Sequence, residues 1–462
     1  MRIALVNPPR YNGKYCFREE SCYGYSDQLA MPVTLPQLGG ILREDGHDIA
    51  FYDLNATGGS AADVRLNCDL VISSALVGSS LGSDLEVLRL AKQKKILTAA
   101  IVNDPFIPEL IMQTYGFIDF FIRDEREYVT KNLAESLSKG KPLKGVKGIL
   151  YRRGKEIIST EKQGPVPLDF LKFGCYDLLP MELYDEGDVL AGKNCSYNCS
   201  FCFWAGSGHR YKDLNLLVRE LKHLGSYRLK KVWIYDLNFT SKPDYVKDFC
   251  NRLISEKLRI NWICDGRVNE VDRELLKLMS RAGCSSIVFG IESGSNEILK
   301  KIRKGFTREK ALETLKYASE AGIEPYPTFI IGYPWETHET LRETEDFIAS
   351  IIPGCTTRFG INLLRPLPGS SIYKSMRELD LIEEIRLKDV LVEGSGLDYW
   401  DSIPISRTLH LTKEDLIASR KRILKRALRR KLLNWKILRM YAGYPLSKKI
   451  SIAKKVICNY IG

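Results

Sequence analysis

Three cysteines stand close together in residues 192–204, at Cys195, Cys199 and Cys202, with the spacing Cys-x3-Cys-x2-Cys. The run follows a short apolar segment that is predicted to be a strand, so a single loop carries all three thiols. Three thiolates at this spacing suit a 4Fe-4S cluster, because iron-sulfur clusters select soft sulfur ligands. No fourth cysteine lies nearby, which leaves one iron open for another ligand.

A zinc site is the alternative that this spacing leaves open. Structural zinc is bound by four Cys or His ligands, and His209, seven residues after Cys202, is the only close candidate for the fourth. Three buried thiols without a ligand are a further alternative. The other nine cysteines are scattered along the chain and are expected to be reduced thiols.

Strand and helix patterns alternate over residues 1–160. The predicted strands are 3–6, 49–52, 70–73, 98–102 and 117–122, with helical patterns between them. This alternation predicts a doubly wound, Rossmann-like parallel sheet. Segments 146–151 and 156–159 are expected to form a hairpin that closes this first domain.

A second alternating series follows a proline-containing linker over residues 161–187. Its predicted strands are 189–191, 231–235, 260–264, 286–290, 324–331 and 357–363. Six strand-helix units over residues 188–385 predict a (β/α)6 partial TIM barrel, in which chemistry lies at the carboxyl ends of the strands. Residues 386–462 are predicted to form a basic helical C-terminal region.

The cysteine run resembles the signature of the radical S-adenosylmethionine (radical SAM) superfamily, Cys-x3-Cys-x-aromatic-Cys, with Phe201 at the aromatic position. Segments 233–240, 262–267, 283–295 and 329–337 resemble successive barrel strands of that family in the same order. The resemblance implies a 4Fe-4S cluster on the three cysteines and S-adenosylmethionine (SAM) on the open iron. One electron then cleaves SAM, and the radical so formed attacks an unactivated C–H bond.

The same resemblance implies contacts with SAM for five residues. Phe201 is expected beside the adenine, and Asp236 and Arg267 at the ends of the second and third barrel strands. Glu292 and Ser293 belong to a segment that contacts the ribose or methionine part. Structural roles are the alternatives, as helix caps for Asp236 and Glu292 and as an ion-pair partner for Arg267. No catalytic residue is predicted.

The first domain resembles the cobalamin-binding domain of one radical SAM subfamily, in residues 3–9, 35–53 and 148–152. The resemblance implies cobalamin as a cofactor and C-methylation of a hydrophobic or natural-product substrate as the reaction. Two segments depart from the pattern: 102–105 is Val-Asn-Asp-Pro in place of Gly-Gly-x-His, and 123–127 is Arg-Asp-Glu-Arg-Glu in place of Arg-Gly-Glu-Gly-Glu. A cobalamin-independent cyclase or rearrangement enzyme is the alternative.

The net charge of +12 comes from the C-terminal end of the chain, since residues 407–462 hold 16 Lys and Arg against Glu414 and Asp415. A cationic amphipathic helix can lie on an anionic membrane surface, bind nucleic acid or pack on the barrel. We expect peripheral membrane contact through these helices and no nucleic-acid partner. A zinc- or cluster-bearing nucleic-acid-binding protein is the alternative from a different class.

No apolar run reaches 18 residues, and the N-terminal segment lacks a signal-peptide pattern. We therefore predict a cytoplasmic enzyme, with peripheral contact at the inner membrane surface. The family resemblance implies a small-molecule or lipid-like substrate and an electron donor such as flavodoxin or ferredoxin. The sequence does not identify the substrate.

Overall fold

The computed structural model describes residues 1–18, 23–76, 80–102, 108–382 and 407–432. Its first 159 residues build one sheet with helices on both faces. The strands are β1 (Arg2–Asn7), β2 (Tyr15–Arg18), β3 (Tyr23–Ser26), β4 (Asp48–Asp53), β5 (Leu70–Ala75), β6 (Leu97–Val102), β7 (Phe120–Ile122), β8 (Ile149–Arg153) and β9 (Glu156–Ser159). The helices are α1 (Thr34–Glu44), α2 (Leu54–Thr57), α3 (Leu81–Gln93), α4 (Pro108–Thr114) and α5 (Arg126–Ser138).

The order of this sheet is β4-β1-β5-β6-β7-β8-β9, with β2 and β3 forming a separate hairpin. The first five strands are parallel, and β8 and β9 add an antiparallel hairpin at one edge. Alternate residues of β1 enter different cores, with Ile3 and Leu5 on one face and Ala4 and Val6 on the other. A strand that is buried on both faces has a continuous run of apolar residues, and this pattern led to the prediction of a doubly wound sheet. The structure confirms that prediction.

The hairpin β2–β3 was not predicted, because its buried side chains include a charge. Arg18 is 2% exposed and forms an ion pair with Asp84 of α3, with Nη2 and Oδ1 2.6 Å apart. Its guanidinium also donates to the carbonyl oxygens of Pro8 and Pro9. In a sequence, an isolated arginine suggests a surface position, so only the fold reveals this segment as part of the interior.

The second sheet contains six strands, with a short ribbon beside it. The six are β10 (Glu186–Leu190), β13 (Lys231–Tyr235), β14 (Trp262–Gly266), β15 (Cys284–Glu292), β16 (Glu324–Ile331) and β17 (Gly360–Leu363), and the ribbon is β11 (Gly192–Lys193) with β12 (Arg210–Tyr211). The helices are α6 (Leu214–Leu224), α7 (Pro243–Ser255), α8 (Arg273–Arg281), α9 (Asn296–Lys301), α10 (Arg308–Glu320), α11 (His338–Ile351), α12 (Ser371–Glu378) and α13 (Lys413–Leu432).

The six strands are parallel and paired in chain order, β10-β13-β14-β15-β16-β17. Each crossover carries at least one helix on the outside, and apolar side chains such as Leu275, Leu276 and Met279 of α8 are buried. This arrangement confirms the predicted partial barrel. The proposed division at residues 160, 187 and 385 stays a prediction.

The segment predicted as a linker packs tightly between the two sheets. Tyr176, Met181 and Tyr184 are almost fully buried. Behind them, the ammonium of Lys212 contacts the carboxylate of Glu220, and both side chains are fully buried. Gln37 of α1 accepts from Lys212 at 3.1 Å and donates to Glu220 at 2.9 Å, so a polar group from the first domain completes this buried pair.

The described part of the basic C-terminal region packs on the barrel through α13. Leu416 and Ile423 are buried in the barrel core, and Arg422 forms an ion pair with Glu345 of α11 at 2.9 Å. The rest of the predicted region 386–462, namely residues 386–406 and 433–462, lies outside the described residues. Among the described residues, no helix is long and apolar enough to cross a membrane.

The close approach of α1 to the linker predicts a destabilising substitution. A Cβ at Gly40 would collide with the Phe173 carbonyl oxygen, so the backbone would have to move. We expect Gly40→Ala to lower the free energy of unfolding by about 1–3 kcal/mol, as overpacking does. Gly116→Ala is the control, because open space surrounds that position. Urea denaturation measures both, and equal midpoints for the two variants would contradict the packing described here.

Candidate active site

The three cysteines lie on one loop at the end of the barrel. The loop covers residues 194–209 and joins the two strands of the ribbon, in which Lys193 pairs with Arg210. It follows β10 and therefore starts at the carboxyl end of the parallel sheet, where barrels place their chemistry. Asn194 has a φ of 67°, a left-handed conformation that asparagine tolerates better than most residues.

Hydrogen bonds within the loop hold the cysteines in place. The Cys195 amide donates to Ser207 Oγ at 3.1 Å, and the Cys202 amide donates to the Cys199 carbonyl at 3.1 Å. Burial raises the pKa of the Cys195 thiol and raises that of Cys202 to about 11, with the neighbouring thiols adding to both shifts. The thiolates that bind metal are therefore unfavourable here until a positively charged centre stabilises them.

His209 and Asp236 bind each other. The imidazole Nε2 lies 2.8 and 3.0 Å from the two carboxylate oxygens, and both side chains are buried. Gly192 allows this contact, because a Cβ there would collide with the Asp236 carboxylate. The zinc alternative required His209 as the fourth ligand, and in the structure the Nε2 atom of His209 contacts the Asp236 carboxylate instead. Among the described residues, no group of three or more His, Cys, Asp or Glu side chains is arranged for a metal ion.

Glu292 stands at the end of β15 in a strained conformation. Its φ of 73° is rare for a residue with a side chain, and such strain is often found at functional sites. The carboxylate lies 3.3 Å from the ammonium of Lys304, and both groups are buried. Gly290 leaves room for this arrangement, because a Cβ there would strike Glu292 Oε1. Ser293, the next residue, is fully buried and its hydroxyl lies 3.2 Å from Thr344 Oγ1 of α11.

The remaining two predicted contacts lie against the cysteine loop. The ring of Phe201 is 5.9 Å from that of Tyr333, and Arg267 Nη1 is 3.4 Å from Cys199 Sγ. Two buried polar atoms here, the Tyr333 hydroxyl and Arg267 Nε, have no hydrogen-bond partner among the described residues. Buried polar atoms are normally satisfied, so their presence beside three soft thiol donors fits a site that receives a polar cofactor.

Two ion pairs join the base of the loop to the first domain. Lys193 of β11 contacts Glu127 of α5, with side chains only 6% and 2% exposed. Arg210 of β12 contacts Glu125, just before α5, at 2.7 Å. We call these two pairs the ribbon clamp. In the sequence, residues 123–127 stood out only because they depart from the cobalamin-domain pattern. The structure shows that Glu125 and Glu127 of this segment form the two ion pairs of the clamp.

A small cleft lies beside the clamp, between the first domain and the barrel. It is lined by Val33, Thr34, Glu127, Leu190, Gly192, Lys193, Asn194, Trp204, Tyr235 and Leu237. The walls are mostly apolar, and the polar floor is the Lys193–Glu127 pair. The cleft reaches the cysteine loop directly, because Asn194 and Trp204 belong to it.

Residues 189–348 match the family described as the radical SAM superfamily. This part of the chain is a radical SAM domain. Members of this superfamily cleave SAM with a 4Fe-4S cluster, so the expected family and these two cofactors are confirmed. The assignment of Cys195, Cys199 and Cys202 as the cluster ligands stays a prediction. Sequence reasoning did not single out Lys304, Tyr333 or the clamp glutamates, because single charged or aromatic residues in loops and helix starts carry no spacing signal.

Two relatives share most of their length with this radical SAM chain. It is 28% identical over 437 residues to an uncharacterized methyltransferase of Pyrococcus horikoshii, covering 90% of each chain. It is 27% identical over 383 residues to an anaerobic magnesium-protoporphyrin IX monomethyl ester cyclase of Synechocystis, covering 76% of this chain and 72% of the relative.

Two solved structures share the fold. The radical enzyme OxsB, solved with aqua-cobalamin and SAM, superposes with a TM-score of 0.75 at 16% identity, covering 99% of this chain and 71% of OxsB. The methyltransferase TsrM of Kitasatospora setae, solved with cobalamin and a [4Fe-4S] cluster, gives a TM-score of 0.67 at 17% identity, covering 82% of this chain and 75% of TsrM. The predicted succession of a doubly wound domain and a partial barrel is confirmed.

The ribbon clamp predicts that the first domain supports the cysteine loop. Glu127→Gln removes the carboxylate that balances the buried Lys193 ammonium, which typically costs about 3–5 kcal/mol. We expect lower thermal stability, faster amide exchange in residues 194–209 and less iron bound after anaerobic reconstitution. Glu135→Gln, on the exposed side of the same helix, is the matched control. Unchanged exchange in the loop would show that the clamp does not support it.

Proposed function

We propose that this chain is a cobalamin-dependent radical SAM methyltransferase that acts on a carbon atom of a small molecule. The observation that carries the proposal is the loop with Cys195, Cys199 and Cys202, which ends a partial barrel and faces a Rossmann-like first domain. One relative, from Pyrococcus horikoshii, and one structural neighbour, TsrM, are named as methyltransferases, which supports the proposed reaction. The cobalamin bound in OxsB and TsrM supports the second cofactor.

Each part of the site has a role in this proposal. Cys195, Cys199 and Cys202 would hold the 4Fe-4S cluster, and SAM would bind beside them. Bound together, cluster and SAM supply one-electron cleavage of the sulfonium and removal of hydrogen from an unactivated carbon. The Glu292 and Asp236 carboxylates stand at strand ends beside the loop, where donor groups of SAM would meet them. Phe201 offers an aromatic face for the adenine.

The first domain would hold cobalamin at the carboxyl edge of its parallel strands. A buried hydroxyl at that edge, Ser74 Oγ at the end of β5, has no partner among the described residues. His47 lies at the opposite edge, where the N-terminal amine is 3.3 Å from its Nδ1. No other histidine belongs to this domain, so we infer that cobalt receives no histidine ligand from it.

The substrate is proposed to enter the cleft between the domains, which lies beside the cysteine loop and has mostly apolar walls. A hydrophobic or natural-product substrate would suit those walls. The cyclase among the relatives makes ring formation the second candidate, because it requires the same radical site. Loss of cobalamin dependence in the reaction would favour that candidate.

Partners beyond the substrate follow from the same proposal. Reduction of the cluster requires a one-electron donor such as flavodoxin or ferredoxin. The exposed residues Lys421, Lys425 and Arg429 of α13 leave a basic stripe on the surface, which would suit contact with an anionic membrane. Arg422 and Arg426 are engaged by Glu345 and Asp346 instead, so only part of the helix charge is available.

Replacement of the cysteines tests the cluster assignment. We expect Cys195→Ser, Cys199→Ser and Cys202→Ser each to bind far less iron and sulfide after anaerobic reconstitution, because hydroxyl is a poor ligand for this cluster. Cys68→Ser, a partly buried thiol in the first domain, is the control and should load like the wild type. Zinc in place of iron in the wild-type protein would overturn the assignment.

Purification with cobalamin supplied tests the second cofactor. We expect the wild-type chain to retain about one corrin, with the absorption of a cobalamin that lacks a histidine ligand, since the first domain offers none. His47→Gln should leave both the amount and the spectrum unchanged. An iron-loaded protein that retains no corrin would remove cobalamin from the proposal and leave the radical SAM assignment intact.

A further inference from the structure

Arg267 is buried against the cysteine loop and contacts two of its residues, Tyr197 and Cys199. The residue follows the last position of β14 and is 6% exposed. Its Nη1 lies 3.4 Å from the sulfur of Cys199, and its Nη2 donates to the Lys304 carbonyl. The guanidinium carbon lies 3.7 Å from the ring centroid of Tyr197, which places the cation on the face of a loop aromatic.

The charge of Arg267 has no carboxylate in ion-pair contact among the described residues. Its contacts are a thiol, a carbonyl and an aromatic ring, and its Nε has no hydrogen-bond partner there. A buried cation that lacks a counter-ion is costly. A cluster on the three cysteines would supply the missing negative charge, because an iron-sulfur core with three thiolates is an anion and becomes more negative on reduction.

This inference rests on the proposed function and adds a residue role to it. We propose that Arg267 tunes the cluster: its N–H group donates to the Cys199 thiolate, and its charge stabilises the reduced cluster. Hydrogen bonds to the sulfurs and nearby charge are what set cluster potentials. The step is transfer of one electron from a low-potential donor to the cluster, and Arg267 neither gains nor loses a proton.

An alternative role for Arg267 is to bind the SAM carboxylate, as the family resemblance implied. Nη1 and Nη2 each already donate one N–H group to an acceptor in the protein, which fixes the plane of the guanidinium against the cysteine loop. Three N–H groups of the five remain, so the measured affinity for SAM distinguishes this role from the one proposed. The planar group also explains the choice of arginine, since an ammonium cannot stack on Tyr197 while reaching two acceptors.

The test compares Arg267→Gln and Arg267→Lys with the wild-type chain. The matched control is Arg273→Gln, because Arg273 is an exposed arginine on α8 that pairs with Glu320. Each protein is reconstituted anaerobically, its iron and sulfide are counted, and its midpoint potential is measured without SAM by titration followed with electron paramagnetic resonance. The affinity for SAM is measured separately on the oxidised cluster.

We expect Arg267→Gln to have a more negative midpoint potential than the wild type, with unchanged affinity for SAM. The Lys variant keeps the charge but loses the stacking, so its potential should lie between the two. If the Gln variant cannot hold a cluster, a midpoint potential of the Lys variant below that of the wild type supports the proposed role of Arg267. Unchanged potentials with weakened SAM binding would overturn the inference. A wild-type protein that binds no cluster would instead contradict the proposed function itself.

Discussion

The ribbon clamp is the constraint on which the site depends. The cysteine loop has only a two-residue ribbon at its base, which is too short to fix its direction alone. Both basic residues of that ribbon, Lys193 and Arg210, form ion pairs with the start of α5 in the first domain. Largely buried ion pairs demand good geometry, because charges removed from water are stabilised only when their partners are correctly placed. The clamp therefore makes the first domain part of the cluster site, whatever else that domain binds.

Around the cysteine loop, charged and polar side chains are arranged in pairs. Asp236 holds His209 and Lys304 holds Glu292, so most charges at the strand ends are already balanced. Arg267 has no carboxylate in ion-pair contact among the described residues, and its Nη1 lies 3.4 Å from the sulfur of Cys199. This imbalance is what an anionic cluster would correct. The small cleft beside the clamp, with mostly apolar walls, lies next to the same loop.

Elements with a clear hydrophobic period were predictable from the sequence. The bounds of β13 and β16 agree to the residue, because their buried side chains repeat at every second position. The cysteine loop was recognised from its spacing, but the clamp was not. Lys193 and Glu127 are 66 residues apart, and no local pattern records such a contact. Arg18 and the β2–β3 hairpin were missed for the same reason, since a buried ion pair looks like surface charge in a sequence.

The central claim is that Cys195, Cys199 and Cys202 hold a cluster that cleaves SAM. The most direct measurement is 5′-deoxyadenosine formed from SAM by the anaerobically reconstituted chain with a strong one-electron reductant, quantified by chromatography and mass spectrometry. The account predicts that the wild-type protein forms 5′-deoxyadenosine and that Cys199→Ser forms none. A wild-type protein that carries a full complement of iron and sulfide, is reduced, binds SAM and still yields no 5′-deoxyadenosine would contradict it.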